Sequence, residues 1–560
     1  MKSLLKNILI LFSLLFFITL LQSQSATITV DLSKTVGEMS HIWANFGYDE
    51  PNYTYTTNGK KLLRQISALG SDEVYIRTHN LLTSKGENPG PDLKWGYTDV
   101  YTEDSNGRPK YNWTVVDSII DTYVSFGLKP IMEIGFMPKA LSTKPMPYAH
   151  QWSTGGNLWT GWTYPPNNYD KWSQLVFEWV KHSINRYGKD EVKTWLWEVW
   201  NEPDIPYFSG TFEEYCKMYD YAAMGLKAAC SECIIGGPHT TSPRNPKGQK
   251  YLSDFIKHCL YEKNHATGQI GSPLEYLAFH AKGSPELING QVRMNMGAQL
   301  EDIRNGFKTI SSFPELKNIP IVIGESDPEG CAACSETREP KYAYRNNTMY
   351  SSYTAASFAK IYELCDEYNV NLKAAVSWSF EFEDQAWFAG FRDLATNGIN
   401  KPVFNVFQLF GKMSGQRVSV SGSDALSAAE VIANGVTKSA DIGALAVSGN
   451  KKVTILLWNY HDDNDLKVID EKILLQIKGL KTDLVQVKQY MIDQNHSNAY
   501  TAWLKMGSPK KLSLEQYKTL EEASQLAVKG LPMWSKVASD YLSMDIDVPR
   551  QAVSLIELTW

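Results

Sequence analysis

Basic residues are not in excess in this 560-residue sequence, because 61 Asp and Glu outnumber 55 Lys and Arg and the formal net charge is -6. The basic residues also do not gather into one stripe. Domains that bind nucleic acid usually carry such a patch. We therefore expect no nucleic-acid partner.

Beyond the N-terminus, the sequence lacks any segment apolar enough to cross a membrane. At the N-terminus Lys2 and Lys6 precede an apolar run from Ile8 to Leu21, and small residues follow it. This pattern predicts a secretory signal peptide over residues 1–25. A transmembrane anchor is the alternative, but about 14 apolar residues fall short of the roughly 20 that span a bilayer. We expect an exported protein, periplasmic or secreted, with no membrane span after processing.

Cysteine is scarce, and its count of seven is odd. Two short pairs stand about a hundred residues apart, CSEC at 230–233 and CAAC at 331–334. A four-cysteine zinc site is conceivable from this spacing. In an exported protein, local disulfides or buried thiols are the favoured alternatives, so no metal or cofactor is predicted.

Short apolar runs alternate with amphipathic helical patterns along most of the chain, which is typical of parallel strands with crossover helices. No glycine-rich phosphate loop follows the first strand, which argues against a doubly wound sheet. The pattern predicts a (β/α)8 TIM barrel over residues 41–414. Its eight strands are predicted at 41–48, 73–80, 128–136, 194–203, 233–240, 275–283, 319–326 and 372–380.

The rest of the chain shows alternation typical of short strands, at 451–460, 471–480, 483–492 and 552–560. This predicts a C-terminal β-sandwich domain over 415–560. The segment 26–40 begins with a further strand, which we expect to join that sandwich.

Chemistry in such a barrel collects at the carboxyl ends of the strands. The polar or aromatic residues predicted there are His79, Asn80, Asn201, Glu202, His239, His280, Lys282, Glu325 and Trp378. Two of them, Glu202 and Glu325, are carboxylates from different strands. Seventeen Trp and thirty Tyr fit the same picture, since flat rings with polar edges suit sugar faces.

Several long motifs resemble glycoside hydrolase family 39, the family of β-xylosidases and α-L-iduronidases. WNEPD is similar to the family's acid/base motif and IVIGESDPEG to its nucleophile strand. The resemblance extends to YIRTHNLL, SWSFEFEDQAWFAGFRDL and YMIDQNHSNAYTAW, and spans nearly the whole mature chain. It implies a retaining, exo-acting glycosidase that acts on the ends of oligosaccharide or polysaccharide chains.

The resemblance assigns roles that the chemistry of glycoside hydrolysis supports, since a pair of carboxylic acids cleaves the bond. Glu325 would attack the anomeric carbon, and Glu202 would donate a proton and later activate water. Glu202 must then hold its proton near neutral pH, which the charge of Glu325 and desolvation by Trp200 would favour. Asn201 would bind the sugar 2-hydroxyl, and His280 resembles the family histidine near the nucleophile.

The remaining candidates carry structural alternatives. His79 is expected to orient a carboxylate or hold a sugar hydroxyl, or to be a satisfied structural histidine. Trp378 is expected to form the floor of the pocket, with one face of its ring exposed to stack on the sugar. Glu198 and Glu133 are interpreted as structural, hydrogen-bonded carboxylates. Glu381 and Glu383 either bind outer hydroxyls or lie in a solvated loop.

Lys282 departs from the xylosidase pattern, which has tyrosine at this position, and is similar to the iduronidase branch. Its ammonium group would favour a carboxylate on the sugar, unless it pairs with an acid such as Glu325.

The leading hypothesis is a β-xylosidase, with a uronate-directed or other β-glycosidase as the alternative. A non-catalytic carbohydrate-binding barrel would lack one carboxylate, and both are present. A metallohydrolase would depend on His79, His239, His280 and the cysteine pairs, but no close ligand spacing supports it.

Overall fold

The computed structural model describes residues 26–86, 96–152, 156–331, 333–379, 383, 385–463 and 471–560. The predicted signal peptide (1–25) and Glu381 lie outside these residues. Among the residues described, no helix has both the length and the apolar character needed to cross a membrane.

The predicted barrel is confirmed: eight strands pair in parallel in chain order and close into a ring. The eighth strand is broken in two, and its halves pair with the seventh and the first strand. The strands are Asn45–Tyr48, Tyr75–Thr78, Lys129–Ile134, Leu196–Val199, Ile234–Thr240, Tyr276–Lys282, Pro320–Asp327, and Asn371–Ala375 with Ser377–Trp378. Several are shorter than predicted. The second and fourth strands end close to Asn80 and Trp200, whose positive φ turns the chain out of the sheet.

A helix follows each strand: Thr57–Ser67, Thr114–Ser125, Tyr169–Tyr187, Phe212–Ala229, Pro246–Tyr261, Met296–Ser311, Thr348–Tyr368 and Pro402–Phe410. The third is representative. The Asn168 side chain caps its N-terminus by accepting from Lys171 N, and Trp172, Leu175 and Trp179 are buried along one face. That spacing buries an apolar stripe against the sheet.

A second sheet of ten strands lies beside the barrel. Ala26–Glu38 pairs there with Gln416–Gly422 and Glu471–Lys478. The other strands are Asp441–Gly449, Lys452–Tyr460, Leu484–Ile492, Ala527–Val528, Met533–Lys536, Tyr541–Val548 and Val553–Thr559. Strands from both ends of this sheet share one apolar core, so a continuous, bent sheet provides the two layers of the predicted sandwich.

Three short helices belong to this part of the chain, Ala428–Asn434, Ala499–Lys505 and Leu514–Ala523. The last two lie between strands and pack against Phe388 and Ile399, which follow the eighth barrel strand. Through these two helices, the C-terminal domain packs against the segment that follows the eighth barrel strand.

Candidate active site

Side chains alternate along a strand, and this alternation places two layers of side chains, one above the other, inside the barrel. The lower layer is apolar and includes Tyr75, Leu196 and Ala278. The side chains two residues further along the same three strands are Arg77, Glu198 and His280, and all three are fully buried. An ionic layer therefore rests on the apolar one, directly below the mouth.

Arg77 is the centre of the ionic layer. Its Nε donates to both carboxylate oxygens of Glu198, at 2.9 and 3.1 Å. Its terminal nitrogens donate to Glu325 at 3.2 Å and to the Asn201 side-chain oxygen at 2.9 Å. The hydrogen-bonded role predicted for Glu198 is confirmed. Because the Asn201 oxygen faces Arg77, its amide NH2 is left to donate elsewhere.

Glu202 and Glu325 come together at the carboxyl ends of the fourth and seventh strands. One oxygen of each carboxylate and one nitrogen of His280 all lie within 4.8 Å of one another. His280 Nδ1 is 2.9 Å from Glu202 Oε1 and 3.7 Å from Glu325 Oε1. The imidazole therefore lies between the two carboxylates.

The two carboxylates have opposite electrostatic environments. Burial, followed by the negative charge of Glu325, raises the pKa of Glu202 to about 8. Burial also disfavours ionisation of Glu325, but Lys282 and Arg77 outweigh it and hold the pKa of Glu325 well below its usual range. Near neutral pH one group is an acid and the other a carboxylate.

Lys282 stands between two acids. Its Nζ is 2.6 Å from Glu325 Oε2 and 2.5 Å from Asp327 Oδ2. Glu202, His280 and Glu325 are close enough to hold a metal ion, but the ammonium group already neutralises Glu325 and would repel a cation. The donor set therefore suits a proton-transfer site better than a metal site.

His79 connects three acids below the mouth. Its Nδ1 is 2.9 Å from Asp49, and its Nε2 is 3.2 Å from Glu133 and 3.9 Å from Glu325. Burial raises the pKa of Glu133 to about 7. These contacts agree with the first of the three alternatives given for His79, the orientation of a carboxylate, and its role toward the substrate stays a prediction.

The eighth strand brings Trp378 to the same side. Its ring centroid lies 4.3 Å from that of His79, and its Nε1 donates to Asp49 Oδ2 at 3.3 Å. The residue is only 2% exposed, so the open ring face expected from the sequence is absent here. A role in sugar stacking remains a prediction.

The backbone at the strand ends is unusual. Asn80, Trp200, Glu202 and His239 all have positive φ, between 46° and 74°, a region that residues other than glycine rarely adopt. The Glu202 amide donates to His239 O at 3.0 Å. Such conformations persist where the surroundings over-determine them, and here they turn the strand ends into the barrel mouth.

Two other predicted candidates lie elsewhere. His239 is buried with Nε2 at 2.6 Å from Glu198, so it supports the ionic layer rather than the mouth. Glu383 is partly exposed and accepts from Asn58 Nδ2 at 2.9 Å, and the two alternatives considered for it stay predictions.

Arg77, Asp49 and Asp327 also belong to the site, although they were not among the residues predicted from the sequence. Arg77 could have been predicted. It lies two residues before His79 in an apolar strand, so its side chain is expected on the same face, where a buried charge requires a partner. Asp49 directly follows the first strand and Asp327 ends the seventh. The sequence around them does not distinguish them from acidic residues of an ordinary surface loop.

The cysteines exclude the four-cysteine zinc site. Cys331 and Cys334 form a disulfide, whereas Cys230 and Cys233 are free and buried. A disulfide has no thiolate to offer a metal, so the local-disulfide alternative is correct for the second pair only.

Together, the closed barrel and the carboxylate pair at its mouth define the architecture of a barrel hydrolase. The family model for glycosyl hydrolases family 39 matches residues 26–536. A β-xylosidase of Caldicellulosiruptor saccharolyticus is 27% identical over 544 residues, which cover 94% of this chain and 97% of that relative. An α-L-iduronidase of Mus musculus is 24% identical, covering 88% of this chain and 75% of that protein. A monomeric β-xylosidase of Caulobacter crescentus has a similar fold, with a TM-score of 0.72 at 21% identity over 95% of this chain and 99% of that one.

This chain belongs to glycoside hydrolase family 39. Membership supports glycosidase activity on carbohydrate substrates.

Proposed function

We propose that this protein is a retaining, exo-acting β-xylosidase in which Glu202 is the acid/base and Glu325 the nucleophile. The observation that carries the proposal is the carboxylate pair itself, whose pKa values are pushed apart while their nearest oxygens lie within 4.8 Å. Carboxyl groups about 5 Å apart favour double displacement, whereas inverting enzymes need roughly 6.5–9.5 Å to admit a water.

In the first step, Glu325 attacks the anomeric carbon while Glu202 protonates the leaving oxygen. The ester that forms has no charge, so the negative charge that adds to the effect of burial on the pKa of Glu202 disappears, and that pKa falls. Glu202 then takes a proton from water as that water attacks the anomeric carbon. The bond from this carbon to the Glu325 oxygen breaks, the Glu325 carboxylate is regenerated, and the sugar leaves with its configuration retained. The Asn201 amide, oriented by Arg77, donates to the sugar 2-hydroxyl throughout.

Replacing either glutamate tests the assignment. Glu325→Ala should abolish hydrolysis of an aryl β-xyloside, and azide should restore partial turnover to the α-xylosyl azide. Glu202→Ala should still form the covalent intermediate from substrates with good leaving groups, and azide should give the β-xylosyl azide. Full activity of Glu325→Ala would refute the nucleophile assignment.

A uronate-directed activity is the second candidate, because Lys282 lies in the site and α-L-iduronidases are among the relatives. Its ammonium group already contacts Glu325 and Asp327, so a substrate carboxylate would have to compete with two acids. For this reason we favour a neutral pentose.

A panel of aryl glycosides separates the candidates. We expect kcat/KM on the β-xyloside to exceed that on the uronides, arabinoside, glucoside and galactoside. If a uronide is the best substrate, the uronate-directed activity replaces the β-xylosidase proposal. If no glycoside is hydrolysed, the non-catalytic carbohydrate-binding alternative is favoured.

We also propose that the protein is exported, on the strength of residues 1–25. Fractionation of cells making the full chain, with N-terminal sequencing of the mature protein, would test this. A cytoplasmic, uncleaved protein would contradict it.

A further inference from the structure

The loop after the seventh strand contains the Cys331–Cys334 disulfide, to which the proposed reaction assigns no role. A bond that closes so short a loop constrains the unfolded chain little compared with a bond across a long one. Its effect in the folded protein should therefore be local.

Arg345 is the residue in contact with the backbone of both cysteines. This fully buried side chain donates to Cys334 O at 2.7 Å and to Cys331 O at 2.5 Å. It also donates to Glu329 Oε1 at 2.6 Å. The Gly390 carbonyl also accepts from Arg345, at 3.1 Å. The two disulfide-bonded cysteines thus provide two of the carbonyls that hold this arginine.

Glu329 contacts a second arginine, Arg392, in addition to Arg345. Its Oε1 is 2.6 Å from Arg392 as well as from Arg345. Arg392 donates to Trp378 O at 2.7 Å and lies 3.4 Å from Asp327 Oδ2. Both arginines are fully buried, where each charge depends on its partners.

Asp327 closes the chain of contacts, since it holds Lys282, which in turn lies 2.6 Å from Glu325. We propose that the Cys331–Cys334 disulfide is a positioning element for the nucleophile, acting through Arg345, Glu329, Arg392, Asp327 and Lys282. The inference rests on the proposed role of Glu325. Without the bond, the two cysteine carbonyls are no longer held together and two of the acceptors of Arg345 shift. Lys282 is then aligned less closely on Glu325.

The experiment compares two cysteine pairs of the same spacing. Cys331→Ser/Cys334→Ser should lower kcat/KM on an aryl xyloside by about tenfold to 100-fold, as expected when a reacting group is misplaced. Cys230→Ser/Cys233→Ser, which removes two free thiols, should leave it within about twofold. Circular dichroism and melting temperature establish that both variants are folded.

The pH profile distinguishes positioning from general loosening. Lys282 helps to keep Glu325 ionised, so the first variant should lose more activity at about pH 5 than at about pH 7, relative to the wild type. Glu329→Gln should have the same effect. Combining it with the first variant should give less than the product of the two losses, because both act on one chain of contacts.

Three results would overturn the proposal: unchanged kcat/KM in Cys331→Ser/Cys334→Ser, an equal loss in the control pair, or a loss without a change in the pH profile. If the first variant does not fold, reduction of the folded wild type by a phosphine replaces it, with the two new thiols counted by alkylation. An unchanged rate after reduction would then refute the inference. Failure of the proposed function is recognised separately, because Glu325→Ala would remain active.

Discussion

The proposed mechanism requires Glu202 to carry its proton when the leaving group departs, and the surroundings of Glu202 favour the protonated form. Burial and the neighbouring charge of Glu325 raise its pKa to about 8, while Glu325 stays ionised far below that pH. The two side chains are of one chemical type and differ only in their neighbours. Lys282 and Arg77 contact Glu325, whereas His280 contacts Glu202.

At this scale we predict the pH dependence of kcat/KM. The active form needs neutral Glu202, so kcat/KM should fall as the pH rises through about 8. Steady-state rates on an aryl xyloside with a poor leaving group would measure this limb. In Glu202→Ala, with a good leaving group, the alkaline limb should be absent. A limb that persists in the variant would assign it to another group.

At the scale of elements, the first and eighth barrel strands meet closely, since Gly47 pairs with Trp378. A Cβ at Gly47 would lie 2.4 Å from two atoms of the Trp378 ring. That ring contacts His79 and lies 5.1 Å from the Arg77 guanidinium. Closure of the barrel therefore requires a glycine at position 47, where the Trp378 ring packs against the backbone of the first strand.

We predict that Gly47→Ala displaces Trp378 and lowers both stability and activity. Overpacking of this kind costs about 1–3 kcal/mol, and kcat/KM should fall about tenfold because His79 moves with the ring. Gly443→Ala is the matched control, since its Cβ would lie 2.4 Å from Trp458 in the second sheet. Denaturation and kinetics should show similar destabilisation of both variants, with normal kcat/KM only in the control. Normal kinetics of Gly47→Ala would contradict the prediction.

The strand patterns explain how much could be predicted from the sequence. The eight apolar runs and the carboxylates at their ends were sufficient to predict the barrel and to select Glu202 and Glu325, because strand ends of one barrel converge. The partners of these carboxylates were harder to predict. Asp49 and Asp327 interact with residues far away in the chain, and the burial of Trp378 depends on a glycine in another strand.

At the scale of the whole molecule, the barrel and the second sheet share one apolar core. Its buried members include Phe404 and Phe407 of the last barrel helix together with Trp458, Tyr490 and Leu555 of the sheet. The interface also contains a specific polar contact. Asn405 donates from Nδ2 to Ser497 O at 3.1 Å and to Ser524 O at 3.0 Å, which fixes both ends of the segment that carries two helices.

A shared core predicts a single cooperative unfolding transition for the two parts, which differential scanning calorimetry would test. Asn405→Ala leaves two buried carbonyls without their donor, so we expect a loss of about 1–3 kcal/mol and a lower midpoint of that same transition. Asn371→Ala is the control, because Asn371 is exposed and its contact with Asn318 O is 3.3 Å; its midpoint should stay close to that of the wild type. Two separate transitions in the wild type would show that the parts unfold independently. A transition that splits in Asn405→Ala alone would show that the shared core does not couple the parts without the Asn405 contact.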